Sequence, residues 1–258
     1  MARREGAIAG HPGPADRRSL KLNSPLVVQW EYASEERQVK RDATYRRLVE
    51  GDHAEDVAFA AVAALSPRRV LDAGCGTGGF AARLQRELGI GVQAIDLSAR
   101  MVALTAELGV ETQVADLEAL PFQDDEFDVV AANWVLYHVE QLDAAIAELA
   151  RVLEPGGTLV AATTGDGNMK ELWDLVGGTP TSDLSFGATN GADALHRHFA
   201  RVESEEANAT VVFPHPGAMR DFVAATLTRA HLAARVPEFE GPFHAESRHV
   251  VFVAEKAA

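Results

Sequence analysis

Three carboxylates and a run of glycines are the residues of this sequence best placed to do chemistry. Residues 70–80 read VLDAGCGTGGF. Gly74, Gly76 and Gly79 satisfy G-x-G-x-x-G, the pattern of a loop that cradles a pyrophosphate. Gly74, Gly76 and Gly78 equally satisfy G-x-G-x-G, with Asp72 two residues ahead. Asp96 ends the next apolar run, where an acidic side chain can accept hydrogen bonds from both hydroxyls of a ribose; that suits either kind of nucleotide ligand. Asp72 separates the two. A carboxylate close to a pyrophosphate is repelled, by roughly 1 kcal/mol at 4 Å in water and about 4 kcal/mol at an effective dielectric near 20. A cationic ligand turns that cost into an attraction of the same order. S-adenosylmethionine carries a ribose, an adenine, an ammonium and a sulfonium, and no phosphate. The glycines then let the backbone approach it closely.

These residues need elements to hold them. RVLDAG reads as a strand and GGFAARLQREL as a helix closed by Gly89. GVQAIDLS and ARMVALTAELG repeat the pair, VETQVADLEAL supplies a third strand and its exit loop, and FDVVAANWVLYHV a fourth. In LDAAIAELARVLEPGG, Leu142, Ala145, Ile146, Leu149 and Leu153 form one helical stripe that stops at Pro155-Gly156-Gly157, ahead of a fifth strand, TLVAATT. Alternation with such short connections implies a parallel sheet wound on both faces, with ligands beyond the carboxyl ends of its strands. Further on, NMKELWDLVGG reads as a short inserted helix, and TNGADALHRHF as a helix with Thr189 or Asn190 as its N-cap. RVESEEANATVVF and SRHVVFVAEKA read as closing strands around a helix near PGAMRDFVAATLTRAHL. The segments PLVVQWEYASEERQVKRDATYRRLVEG and DHAEDVAFAAVAAL, ahead of the first clear strand, have mostly helical periodicity. The expected fold is α/β: a Rossmann-like, seven-stranded, mostly parallel sheet with helices on both faces, an N-terminal helical cover and small inserted lid elements.

Composition narrows the partners. The 258 residues are 47% hydrophobic and 24% charged, an ordinary globular balance. No stretch approaches the roughly 20 apolar residues of a membrane span, and the basic N-terminus lacks the apolar core of a signal peptide. A net charge of −14 disfavours nucleic acid and anionic membranes. With a single cysteine, Cys75, and no spaced histidine cluster, neither a disulfide nor a metal is expected, and a cytoplasmic setting fits.

VLDAGCGTGGF, AIDLS, ADLEALPFQDDEFDVVAANWVLYHV and RVLEPGGTLV together resemble, in order and spacing, the class I S-adenosylmethionine-dependent methyltransferases. Within that class they are most similar to the small-molecule branch that includes ubiquinone and menaquinone biosynthesis enzymes. The resemblance is strong over about residues 55 to 165. It implies that Asp72 meets the methionyl ammonium, that Gly74, Cys75, Gly76 and Gly78 form the floor, and that Asp96 holds the ribose. Leu97 and Met101 would touch the adenine, Asp116 would accept from its amino group, the Leu117 amide would face a ring nitrogen, and the Asn133 carbonyl would meet the ammonium. Tyr32 and Arg41 are the candidates from the N-terminal cover. His138 stands near the expected methyl acceptor, and an ordinary histidine pKa of about 6.5 suits a general base. Trp134 and Tyr137 flank it as acceptor-pocket candidates. Trp173, Phe186, His196, His198 and His215 are weaker candidates for the same pocket. The implied organisation is a disordered basic tail at 1–22, a helical cover at 23–66, and a cofactor-binding domain at 67–258 with acceptor-pocket elements in 165–245. The implied activity is methyl transfer to O, N or C of a small molecule in a monomer or homodimer, with secondary metabolism a plausible setting. Action on protein or RNA, and a non-catalytic cofactor-binding regulator, remain the alternatives.

Overall fold

The computed structural model describes residues 43–180, 184–226 and 229–258. Tyr32 and Arg41 lie outside the described residues, as do the tail and most of the expected cover. Residues 43–48 are helical and lead into β1 (Val49–Gly51). There follow α1 (Ala54–Ala64), β2 (Arg69–Ala73), α2 (Gly79–Leu88), β3 (Gly91–Asp96), α3 (Ala99–Glu107), β4 (Glu111–Val114) and β5 (Phe127–Ala131). The second half holds α4 (Leu142–Val152), β6 (Leu153–Thr164), α5 (Lys170–Leu175), α6 (Gly191–Leu195), β7 (Arg201–Phe213), α7 (Pro216–Ala225) and β8 (Phe243–Glu255).

One sheet of eight strands runs in the order β1-β7-β8-β6-β5-β2-β3-β4. The pairs β2–β3, β3–β4, β2–β5 and β5–β6 are parallel; β8 enters antiparallel to both β6 and β7. The α/β reading holds, with one strand more than the seven expected. The extra strand is β1, which lies inside the segment read as a helical cover. Its three residues VEG pair antiparallel with Ala209–Val211 of β7, a long-range partner that supplies the hydrogen bonds no local pattern announces. Asn190 takes the N-cap position of α6, but its Oδ1 accepts from the Gly187 amide instead of from the helix.

The strands are apolar on both faces because helices cover both. Leu71, Val130, Leu159 and Ala161 pack in one core with Ile146 and Leu149 of α4. Their neighbours Val70, Val129, Val160 and Ala162 pack in the other, with Ala58 and Val62 of α1 and Phe80, Ala81 and Leu84 of α2. This period-two alternation puts Asp72 on the α1–α2 side, in phase with Val70. The β7–β8 pairing continues past the end of β6, from Asn208↔Arg248 to Phe213↔Phe243. Its far end joins α5 and α7 in a third apolar cluster with Trp173, Phe222 and Tyr45. The strand order reverses between β2 and β5, and there the carboxyl ends of the strands open onto a cavity of about 1480 Å³.

Candidate functional site

The glycine loop closes the floor of that cavity. Gly74, Gly76 and Gly78 have φ of 85°, 54° and 80°, in the left-handed region that favours glycine. A Cβ on Gly78 would lie 2.5 Å from Thr105 Oγ1, and one on Gly74 would lie 2.5 Å from Val135 Cγ2. Gly79 opens α2, and a Cβ there would have nothing within 4 Å. The loop therefore needs its first three glycines and not the fourth, which is what G-x-G-x-G demands. The amides of Gly74 and Cys75 both donate to the Ile95 carbonyl, at 2.8 and 2.9 Å, pinning the loop to β3. The Thr105 hydroxyl donates to the Gly76 carbonyl at 3.2 Å. Burial beside Asp72 drives the Cys75 thiol pKa far up, so it packs as a small neutral group.

Asp72 is 2% exposed and lies in register between Ala94 and Ala131. Burial, with the negative charges of Asp96 and Glu55 nearby, pushes its pKa up to about 7, against a hydrogen bond from the Ala81 amide. Its Oδ2 is buried without a partner. Asp96 accepts from the Gly76 amide on Oδ2 at 3.0 Å and from the Ser98 amide on Oδ1 at 2.8 Å. Burial raises its pKa and those two amides oppose the rise. Each oxygen keeps a lone pair for a ligand hydroxyl. Leu97, the next residue, stands 60% exposed on the cavity wall. Asp116 and Leu117 line the same wall, and Asp116 Oδ1 accepts from the Glu118 amide at 3.0 Å.

Another part of the lining is aromatic and polar. Trp134, in a left-handed conformation at φ 53°, donates from Nε1 to His249 Nδ1 at 3.2 Å. The Tyr45 hydroxyl lies 2.6 Å from Ser247 Oγ and 3.4 Å from His249 Nε2. Tyr45 also sets its ring edge-on to His53 at 5.4 Å. Burial pulls the His249 pKa down to about 4, lowers that of His53, and raises that of Tyr45. All three are therefore neutral near pH 7. Farther along, Met169, Trp173, Phe222 and Thr226 line the cavity together with Arg229, whose guanidinium sits 4.2 Å from the Trp173 ring centre.

The structure thus brings Asp72, Gly74, Cys75, Gly76, Asp96, Leu97, Asp116, Leu117, Asn133, Trp134, Tyr137 and His138 to one cavity. His138 ends a 3-10 turn over Leu136–His138, its ring 4.4 Å from that of Tyr137. Two expected residues stand off the wall. Met101 is fully buried against the sheet, and Gly78 faces Thr105. At Asn133 the side chain is the visible feature: Oδ1 accepts from the Ala162 amide at 3.3 Å and Nδ2 is buried without a partner. Of the weaker candidates, Trp173 lines the cavity. Phe186 is core, His196 is exposed at the end of α6, His198 sits on Asp143, and His215 caps α7. Tyr45, His53 and His249 are among the wall residues that the motifs did not single out, as are Met169, Phe222, Thr226 and Arg229. Among the described residues no helix is long and apolar enough to cross a membrane.

Residues 71–161 match the family described as methyltransferase domain. The chain is 36% identical over 154 residues to a malonyl-[acyl-carrier protein] O-methyltransferase of Pectobacterium atrosepticum, covering 57% of this chain and 60% of that protein. It is 35% identical over 155 residues to the protein of the same name from Geobacter sulfurreducens, covering 58% and 57%. The chain therefore spans about 60% of the length of such relatives. Among solved structures, the YcgJ protein of Bacillus subtilis superposes with a TM-score of 0.58 at 15% identity, covering 80% of this chain and all of that one. The [4+2]-cyclase SpnF superposes with a TM-score of 0.55 at 22% identity, covering 80% and 81%. These likenesses are of fold, and a cyclase among them shows that fold alone does not choose the reaction.

Proposed function

We propose that this chain, whose residues 71–161 match the methyltransferase domain family, transfers the methyl group of S-adenosylmethionine to a small-molecule acceptor. The observation that carries this reading is Asp72, a buried carboxylate with an unpartnered oxygen at the carboxyl end of the central strand. A buried anion without a counter-charge is costly, and a ligand ammonium removes that cost, whereas a phosphate would add to it. The rest of the wall fits the same ligand. Asp96 offers its two remaining lone pairs to the ribose, Leu97 and Leu117 offer apolar surface to the adenine, and Asp116 accepts from the ring amine. The sulfonium of the bound cofactor supplies an electrophilic methyl group. The protein's task is to hold the acceptor in line with it and to exclude water.

The acceptor side supports a finer reading. His249 is held neutral as a weak base and Tyr45 as a weak acid, so this wall orients an acceptor without taking its proton. An acceptor whose nucleophile is already ionised needs no base. A carboxylate meets that requirement, and the relatives named above are named for a malonyl acceptor. We therefore place O-methylation of a small acyl carboxylate first. His138 is the candidate base for an acceptor that arrives as a hydroxyl. Methyl-labelled S-adenosylmethionine, incubated with the protein and a malonyl thioester, tests this: a base-labile labelled ester is expected. Label transferred to phenols or amines but never to the carboxylate would overturn the carboxylate assignment.

A further inference from the structure

Among the described residues, the buried side-chain polar atoms without a hydrogen-bond partner are His53 Nε2, Asp72 Oδ2 and Asn133 Nδ2. All three residues line the same cavity. Unpartnered buried polar atoms are rare in folded proteins, and each calls for a cause. Three gathered at one ligand cavity have a common one, a ligand that pairs with them. Their chemistry is complementary: Asp72 accepts, and Asn133 Nδ2 donates. His53 is also a donor, because its Nδ1 accepts the Glu55 amide at 3.3 Å as the N-cap of α1. That bond places the lone pair on Nδ1 and the proton on Nε2 in the neutral ring. The neighbouring carboxylate of Glu55 is balanced by ion pairs to Arg46 and Arg83, so the donor side of the cavity is not dominated by negative charge.

We propose that His53 Nε2–H receives the α-carboxylate of the bound cofactor, so that His53 and Asp72 read the two ends of an amino-acid zwitterion. This rests on the cofactor reading above and extends it: the site selects ligands that carry both ammonium and carboxylate. The helix cap is what makes a neutral histidine fit for the task, since it fixes which nitrogen holds the proton without any need for the ring to be charged.

Calorimetric titration of the full chain with S-adenosylhomocysteine and with methylthioadenosine, which lacks the amino-acid part, tests the assignment. His53→Asn keeps a good N-cap and removes the Nε2 donor; His53→Gln restores an N–H near the Nε2 position. The expected result is that His53→Asn weakens S-adenosylhomocysteine about tenfold or more, as for a lost hydrogen bond to a charged group, while methylthioadenosine binds as to the wild type. His53→Gln should recover part of the loss. Unchanged S-adenosylhomocysteine affinity in His53→Asn, or an equal loss for both ligands, would overturn the role of His53 and leave the cofactor reading standing. A wild-type protein that binds neither ligand would overturn both.

Discussion

Replacing Asp72 by Asn should make the ligand-free protein more stable and nearly unable to bind its cofactor. The carboxyl is 2% exposed, and its pKa is pushed up to about 7 from an ordinary 3.8. The folded state therefore holds this proton more tightly than the unfolded chain does. The group's contribution to stability is full below about pH 3.8 and is lost as pH rises to about 7. At pH 8 the ionised side chain costs the fold about 4 kcal/mol at most. Asn keeps the shape and removes the ionisation, but its buried amide gives back about 1–3 kcal/mol for want of a partner. Urea unfolding at pH 8 should thus show Asp72→Asn more stable by about 1–3 kcal/mol, with the advantage gone near pH 5. The same change deletes an attraction to the ammonium of about 4 kcal/mol, so S-adenosylhomocysteine should bind roughly a thousandfold more weakly. An Asp72→Asn protein that is less stable at pH 8, or one that binds the ligand as the wild type does, would refute this assignment of the buried charge.

The glycine loop gives a matched pair. Gly78→Ala should cost about 2 kcal/mol or more, from a left-handed backbone and a clash with Thr105, while Gly79→Ala should be neutral or stabilise by about 0.5 kcal/mol; thermal unfolding of both variants decides. Asp96→Ala strips the acceptors from the Gly76 and Ser98 amides as well as from the ribose, so calorimetry should record a large loss of S-adenosylhomocysteine affinity, and wild-type binding would reject the assignment. His249 has its pKa lowered to about 4, so below its ordinary 6.5 the unfolded chain takes up a proton that the fold refuses. Stability should fall by up to about 3 kcal/mol between pH 6.5 and 4, and His249→Gln should flatten that limb of a urea-unfolding series.

Much of the parallel half was legible because its physics is local. The unbroken apolar runs at Val70–Leu71 and at Leu159–Ala162 mark strands covered on both faces, and the glycines announce a turn that suits them. Other features were hidden for equally physical reasons. β1 is three residues long and exists because β7 offers it an edge, so VEG carries no pattern of its own. Leu97 and Met101 look alike as apolar residues beside one helix, yet one is 60% exposed on the cavity and the other is sealed beneath α3. Leu97 follows β3 and precedes the Ser98 cap, whereas Met101 lies in the first turn of α3, on its buried face. The polar wall was the least visible. Tyr45 belongs to the helix entering the fold, His53 reads as an ordinary cap before α1, and His249 is embedded in the apolar run HVVFVAE of β8. Only the long antiparallel pairing and the passage of β1 along its edge bring the three together. Asp72, by contrast, was informative on charge alone, and its burial strengthens the inference: the site holds an acceptor for a cation where a pyrophosphate site would hold none.

A titration of the purified chain with S-adenosylhomocysteine at pH 8, followed by NAD as competitor, tests the cofactor assignment most directly. A one-to-one complex with S-adenosylhomocysteine that NAD does not displace is the expected result. Absence of S-adenosylhomocysteine binding, or displacement by NAD at comparable concentration, would contradict it.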